Sequence, residues 1–141
     1  MPEASNRLVV ARPPQEVFAF LADARNDRQW RSGVVEIEQQ SPTRYRQVVA
    51  GPGGRHIDAD IEITDSEPPS QIAFRTVAGP VRPTGRYELL EVDGGTEVVF
   101  TLAVELRGPK RLMGPIVRRT MQREVAQLSE LKRVLEDQRP G

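Results

Sequence analysis

The sequence has no cysteine, and its 141 residues include a single histidine, His56. Without cysteine the chain can form neither a disulfide, nor a thiolate nucleophile, nor a Cys-ligated metal site. One histidine also argues against a His-based zinc site, so we expect neither a metal nor another cofactor. Lys plus Arg and Asp plus Glu both number 20, which gives zero net charge. Because nucleic acids and anionic membranes attract proteins with a basic excess, neither is expected as the main partner.

Long apolar runs are also missing. No stretch approaches the roughly 20 apolar residues that span a bilayer, and no signal-peptide segment precedes Arg12. We therefore expect one domain over residues 1–141, located in the cytoplasm and not inserted into a membrane. A chain of this length buries about two-thirds of its unfolded surface on folding.

The most informative segment lies near the start. Residues 6–11 read as a strand, and Pro14 suits the first position of a helix, where no intrahelical N–H is needed. Apolar residues then follow at helical spacing and form one face: Val17, Phe18, Phe20 and Leu21. A second short helical turn leads to the only tryptophan, Trp30.

Strand-like alternation of apolar and polar residues dominates the middle of the chain. It predicts strands at 34–39, 43–50, 55–65, 71–77, 85–92 and 96–107. In residues 55–65, isoleucines at 57, 61 and 63 share one face, whereas His56 and three carboxylates share the other. This pattern is typical of an antiparallel sheet with one dry face and one wet face.

One long helix, or a short turn that runs into one, is predicted over roughly residues 110–138, with Gly114-Pro115 at its start or at an early kink. Its apolar stripe has spacings of three and four residues: Val117, Met121, Val125, Leu128, Leu131 and Leu135. The order of one strand, two short helices, six strands and a long helix indicates an α+β fold with helices on one side of a curved sheet.

Residues 9–30 resemble the opening of the START/Bet v 1-like (SRPBCC) superfamily, in particular its polyketide cyclase/dehydrase branch, and the later elements follow in that family's order. The resemblance implies a helix-grip fold, in which a curved seven-stranded antiparallel sheet wraps around a long C-terminal helix. In that fold two short helices follow strand 1. The resemblance also implies a ligand cavity between sheet and helix. The segment itself contains no catalytic residue.

Strand alternation and the helical stripe indicate which side chains face that cavity. The predicted ligand-binding residues are Trp30, Tyr45, Ile61, Phe74, Tyr87, Phe100, Val117 and Met121. The orientation of Tyr45 is left open because Val48 and Ala50 compete for the inner face. Trp30 fits either the rim of the cavity or the core.

Three Gly- and Pro-rich turns, at residues 51–54, 78–84 and 107–110, are expected at one end of the sheet, which would be the cavity mouth. This end is basic, with Arg55, Arg82, Arg107, Lys110, Arg111, Arg118 and Arg119. A solvated basic face and a site for an anionic head group both remain open.

No catalytic constellation is evident: there is no Ser/His/Asp set, no nucleotide-binding loop and no expected pair of inward carboxylates. The leading hypothesis is binding of a hydrophobic small molecule, such as a lipid, quinone, polyketide or aromatic compound, without catalysis. One alternative is a polyketide aromatase/cyclase or dehydratase assisted by Tyr87, Tyr45 or Arg75. The other is a regulatory protein-interaction module, and a homodimer is left open.

Overall fold

The computed structural model describes residues 2–137, and its main element is one curved antiparallel sheet. Its strands are β1 (Glu3–Val10), β2 (Val34–Gln39), β3 (Arg44–Ala50), β4 (His56–Asp58), β5 (Ile61–Glu67), β6 (Gln71–Thr76), β7 (Thr84–Val92) and β8 (Gly95–Ala103). They pair in the order β1-β8-β7-β6-β5-β3-β2, and the three-residue β4 pairs with β3 beside this path. The predicted seven-stranded curved sheet is therefore confirmed, with β4 as a short addition.

The short β4 arises because the predicted strand 55–65 is interrupted at residues 59 and 60. There the backbone N–H of Gln47 donates to the Asp60 carboxylate at 3.3 Å instead of continuing the regular ladder. The Ala59 N–H still donates to the Gln47 carbonyl at 2.8 Å, which keeps the two strands together. One polar side chain thus divides an otherwise alternating strand.

Two short helices follow β1, as expected. They are α1 (Pro14–Ala22) and a 3-10 turn (Ala24–Gln29). Pro14 occupies the first turn of α1, and the Asp23 carboxylate caps the 3-10 turn by accepting from the Arg25 N–H at 3.1 Å. This turn ends at Trp30.

A short turn precedes the C-terminal helix, which is one of the two predicted alternatives, and the helix is interrupted once. Residues Gly108–Met113 form a 3-10 turn, followed by α2 (Gly114–Ala126) and α3 (Leu128–Asp137), and the predicted end at residue 138 lies outside the described residues. Between α2 and α3, the Gln127 amide accepts from the Ser32 N–H at 3.2 Å and donates to Ser32 Oγ at 2.5 Å. Gln127 therefore joins the helix to the loop after Trp30. Along residues 2–137, no helix combines the length and the apolarity needed to cross a lipid bilayer.

The core lies between the concave sheet face and the helices, in the predicted register. Val98, Phe100 and Leu102 of β8 are buried, while His56 and Asp58 are exposed. Two of the isoleucines predicted to be buried, Ile57 and Ile63, are only half-buried. Ile57 lies in the short β4, and the register shifts directly after Ile63, so each residue lies beside an irregularity of the sheet.

The first prediction concerns the stripe that holds the final helix on the sheet. Leu128 is fully buried, so Leu128→Ala should lower the free energy of unfolding by about 2–5 kcal/mol, through lost burial and the cavity left behind. Gln122→Ala on the exposed face of α2 is the control and should cost less than about 0.5 kcal/mol. Equal losses in chemical denaturation would show that the stripe does not anchor the helix.

Candidate functional site

All eight predicted ligand-binding residues lie in the buried hydrophobic core. Trp30, which fitted either rim or core, is a core residue with 2% of its surface exposed. Tyr45, whose orientation was left open, points inward with Gln47 on the same face of β3. Whether these side chains contact a ligand remains a prediction.

Four of these residues form an aromatic cluster, consisting of Trp30, Phe74, Tyr87 and Phe100. Tyr87 is at its centre: its ring stacks on Phe100 with centroids 4.6 Å apart, and it contacts Phe74 at 6.0 Å and Trp30 at 6.3 Å. Edge-to-face and offset arrangements of this kind are the favourable ones for aromatic pairs. Gly85 makes room for the cluster, since a Cβ there would lie 2.1 Å from Phe74 Cζ.

The aromatic cluster contains two buried polar atoms without a hydrogen-bond partner, Tyr87 Oη and Trp30 Nε1. By contrast, Tyr45 Oη accepts from Gln39 Nε2 at 3.3 Å. A buried polar group left unpaired costs about 1–3 kcal/mol, so such groups are uncommon except where function requires them. Tyr87 Oη is therefore a buried polar atom whose hydrogen-bonding capacity is not used by the described part of the chain.

A group of charged and polar side chains lies beside the aromatic cluster, and we refer to Asp27, Arg31, Gln47 and Glu124 as the Arg31 cluster. Arg31 is 8% exposed, and its Nη1 donates to Asp27 Oδ2 at 2.9 Å and to Gln47 Oε1 at 3.3 Å. Its Nε donates to Glu124 Oε2 at 3.1 Å. The expectation that no pair of carboxylates faces inward is therefore wrong, because Asp27 and Glu124 both contact one buried guanidinium.

Local structure explains how the Arg31 cluster is assembled. Asp27 and Arg31 are four residues apart, and the Arg31 N–H donates to the Asp27 carbonyl at 2.7 Å, which turns both side chains inward. Gln47 faces inward by strand alternation and also donates from Nε2 to the Ala59 carbonyl at 3.0 Å. The sequence signal that was missed is Glu124, a carboxylate three residues after Met121 and four before Leu128, within the apolar stripe.

The Arg31 cluster contains one guanidinium and two carboxylates, so its net charge is negative if both carboxyls are ionised. Burial raises the pKa of Asp27 to about 6, against the opposing attraction of Arg31, whose charge is shared with Glu124. The Trp30 N–H helps to lower the pKa of Asp27, although it forms no hydrogen bond of normal geometry. Burial opposes the charge of Arg31, but Glu124 and Asp27 outweigh it and raise the pKa of Arg31.

The same surroundings keep Tyr87 protonated. Burial, with a further contribution from Asp27, raises the pKa of Tyr87 well above its usual value. At neutral pH its hydroxyl is therefore a hydrogen-bond donor. The site combines a neutral donor, a fixed cation and a carboxyl that titrates close to neutrality. Along residues 2–137, no group of three or more His, Asp or Glu side chains is arranged to hold a metal ion.

Arg75, a polar assistant in the cyclase hypothesis, does not belong to this site. It is exposed, and its Nη2 lies 2.8 Å from Glu62 Oε1 on the outer face of the sheet. Because Phe74 was predicted to face inward, strand alternation places the adjacent Arg75 on the outer face, and the structure confirms this.

Two adjacent surface clefts mark the end of the sheet predicted as the mouth. One, of about 310 Å³, lies between residues 79–82 and 104–110, and Lys110 Nζ donates across it to the Pro80 carbonyl at 2.8 Å. The second, of about 460 Å³, is lined by Pro2 and residues between 105 and 114. The expectation that the Gly- and Pro-rich turns at 78–84 and 107–110 share one end is confirmed. None of the eight predicted residues lines either cleft.

Comparison with known proteins gives one family and a set of similar folds. Residues 1–136 match the family described as polyketide cyclase/dehydrase and lipid transport. An uncharacterized protein from Mycobacterium tuberculosis is 28% identical over 114 residues, which is 75% of this chain and 67% of that protein.

Solved structures share the fold over most of this chain. A protein from Thermus thermophilus is 26% identical with a TM-score of 0.77, covering 94% of this chain and 95% of that one. A START superfamily protein from Mycobacterium smegmatis has 18% identity and a TM-score of 0.76, covering 96% and 95%. The di-domain ARO/CYC protein StfQ from the steffimycin biosynthetic pathway has 14% identity and a TM-score of 0.75, covering 92% of this chain and 48% of StfQ.

The second prediction follows from the raised pKa of Asp27. A carboxyl that binds its proton more tightly in the folded state stabilises the fold below about pH 4, and this contribution is lost as the pH rises through about 6. The free energy of unfolding of the wild type minus that of Asp27→Asn should therefore fall between pH 4 and 7, by about 1–3 kcal/mol.

Denaturant titrations across this pH range measure that difference. Asp58→Asn is the matched control, because Asp58 is exposed on the sheet, and its difference from the wild type should vary much less with pH. A difference for Asp27→Asn that stays flat or rises with pH would contradict the assignment of a raised pKa.

Proposed function

Because the chain belongs to the polyketide cyclase/dehydrase and lipid transport family, we propose that it binds a hydrophobic small molecule between the concave sheet and the final helix. The ligand class is a lipid, quinone, polyketide or aromatic compound. The apolar and aromatic side chains on the inner sheet face support this class, since small-molecule sites are mostly apolar with few polar groups.

The observation that carries the proposal is the buried, unpartnered hydroxyl of Tyr87. Its raised pKa keeps it a donor, so the complementary ligand group is an acceptor such as a ketone, quinone or ester carbonyl. A carbonyl on Tyr87 would remove the cost of the unpaired hydroxyl, and the rest of the ligand would contact Phe74, Phe100 and Met121. Because the rings are in mutual contact, binding requires the aromatic cluster to rearrange, and Trp30 emission would report this.

Catalysis is the second candidate, and the Arg31 cluster favours it. General acid–base catalysis works best when the catalytic pKa is close to the operating pH, and that of Asp27 is about 6. Tyr87 would polarise a substrate carbonyl, while Asp27 would exchange a proton with the adjacent carbon. Removal of that proton gives an enol whose carbon forms the new ring bond to a second carbonyl carbon of the chain, and the oxygen of that second carbonyl takes up the proton. The fold is shared with the ARO/CYC protein StfQ.

The third prediction tests the polar contact with two ligands of similar shape, acetophenone and ethylbenzene. Tyr87→Phe should weaken acetophenone binding by about 1 kcal/mol, roughly fivefold in Kd, because one neutral hydrogen bond is lost. Ethylbenzene binding should stay within about twofold of the wild type. Chemical-shift titrations of the backbone amides measure both constants.

Tyr45→Phe is the matched control, since the Tyr45 hydroxyl already has Gln39 as a partner and should change neither constant. Saturation by neither compound would contradict an internal hydrophobic site. An equal effect of Tyr87→Phe on both ligands would contradict the assigned hydrogen bond while leaving the site itself intact.

The fourth prediction separates catalysis from binding. If the chain is a cyclase, it should accelerate ring formation in a poly-β-ketone thioester analogue, and Asp27→Asn and Tyr87→Phe should each reduce the rate about tenfold or more. The exposed control Asp58→Asn should leave the rate unchanged. Saturable binding of the analogue without any acceleration would establish the carrier function instead. Liquid chromatography with mass spectrometry follows the product.

A further inference from the structure

Residues 107–123 form a basic segment within a chain of zero net charge. The segment includes the 3-10 turn Gly108–Met113 and most of α2, and it contains no Asp or Glu. Its six cations are Arg107, Lys110, Arg111, Arg118, Arg119 and Arg123. Charge that averages to zero over the whole chain is thus locally positive at the end of the sheet where the surface clefts lie.

The basic segment also exposes large apolar side chains. Leu112 is 86% exposed, Ile116 is 65% exposed and Met113 is 39% exposed. Scattered exposed apolar residues need no explanation, but these three lie within five consecutive residues. Most of the other described apolar side chains of this size are buried or partly buried.

Helical geometry places apolar and basic side chains together on the outer surface. Val117, Met121 and Val125 point from α2 into the core. Ile116, Arg119 and Arg123 are spaced three and four residues apart and lie on the opposite, exposed face. Leu112 and Met113, in the 3-10 turn that leads into α2, are exposed as well.

Most of these cations have no anionic partner within the described part of the chain. Arg107 pairs with Glu105 at 2.9 Å, and Lys110 donates to the Pro80 carbonyl. No described carboxylate lies within ion-pair distance of the other four. The like charges at 119 and 123 are four residues apart on α2 and repel each other. These four cations thus have no carboxylate partner among the described residues, and an external anionic surface would supply one.

We propose that the basic segment docks this end of the molecule on an anionic lipid bilayer. Leu112 and Ile116 enter the boundary between head groups and acyl chains, and the arginines contact the anionic head groups. A bilayer suits this surface better than an acidic protein does, because Leu112 projects from a turn with cations on both sides, which is the pattern of interfacial segments. The proposal does not depend on what the interior binds.

Docking in this orientation has a structural consequence for the two surface clefts. Lys110 links the basic segment to the loop at residues 79–82, and both clefts border residues 104–114. The bilayer would therefore face these clefts.

The fifth prediction uses the absence of cysteine, which makes any introduced thiol unique. Leu112→Cys, labelled with an environment-sensitive fluorophore, should shift to the blue and brighten on vesicles of phosphatidylcholine with about one-third phosphatidylserine. It should not respond to pure phosphatidylcholine, and salt should weaken the response. Leu90→Cys is the matched control, because Leu90 is a 61% exposed leucine near the other end of β7, and its label should stay in water.

Sedimentation with the same vesicles tests the contributions of the apolar side chains and of the arginines separately. The double variant Leu112→Ser with Ile116→Ser should lose about tenfold or more in vesicle affinity, whereas Leu90→Ser should not. Arg119→Gln with Arg123→Gln should weaken binding and flatten its salt dependence. Arg133→Gln is the control, since Arg133 lies on α3 and pairs with Glu130 at 2.9 Å.

Three results would overturn the proposal. In the first, the double variant Leu112→Ser with Ile116→Ser binds vesicles as tightly as the wild type. The basic segment would then attract any polyanion, without insertion of apolar side chains into the bilayer. Another is a label at residue 112 that stays in water on anionic vesicles. The third is binding to an acidic protein or heparin without binding to vesicles. All the substituted side chains are exposed, and unchanged Trp30 emission verifies that each variant is folded.

Discussion

The buried guanidinium of Arg31 is the constraint on which the arrangement of this molecule depends. A charged group removed from water is tolerated only when it is paired and hydrogen-bonded, and removing one partner from a buried pair costs several kcal/mol. The partners of Arg31 come from the turn before it, from β3 and from α2. The pairing of Arg31 with Glu124 therefore helps to position α2 across the sheet. Gln127 adds a second link from the helix to the same loop.

The parts of the fold that rest on local periodicity could be predicted from the sequence. Alternation in β7 and β8 identified Tyr87, Val98 and Phe100 as inward residues, and the stripe from Val117 to Leu135 identified the buried face of the helix. The Arg31 cluster could not be found in this way, because its pairing joins residues 31 and 124 across the fold. Each of its three charged members reads locally as a surface charge, and only tertiary packing makes it an interior one. The break at residues 59 and 60 has the same origin, since the Asp60 side chain replaces a backbone acceptor.

The proposed binding site and the hydrophobic core are the same set of side chains. Trp30, Phe74, Tyr87 and Phe100 pack on one another, so the cluster contributes to stability in the absence of ligand. The unpaired Tyr87 hydroxyl and Trp30 N–H are the exceptions, because a buried polar group without a hydrogen-bond partner lowers stability. Sites of function commonly retain such locally unfavourable groups at the expense of the fold.

The uneven distribution of charge leaves this molecule of zero net charge with one locally positive region. With six cations and no carboxylates in residues 107–123, the rest of the chain carries fourteen cations against twenty carboxylates. A uniform field exerts no net force on such a molecule, but it exerts a torque that turns the positive end toward negative charge. Near a negatively charged surface the field is also stronger at the closer end, which gives a net attraction over about a Debye length. Orientation during the approach, and therefore the rate of productive encounters, can depend on ionic strength even for a protein whose charges sum to zero.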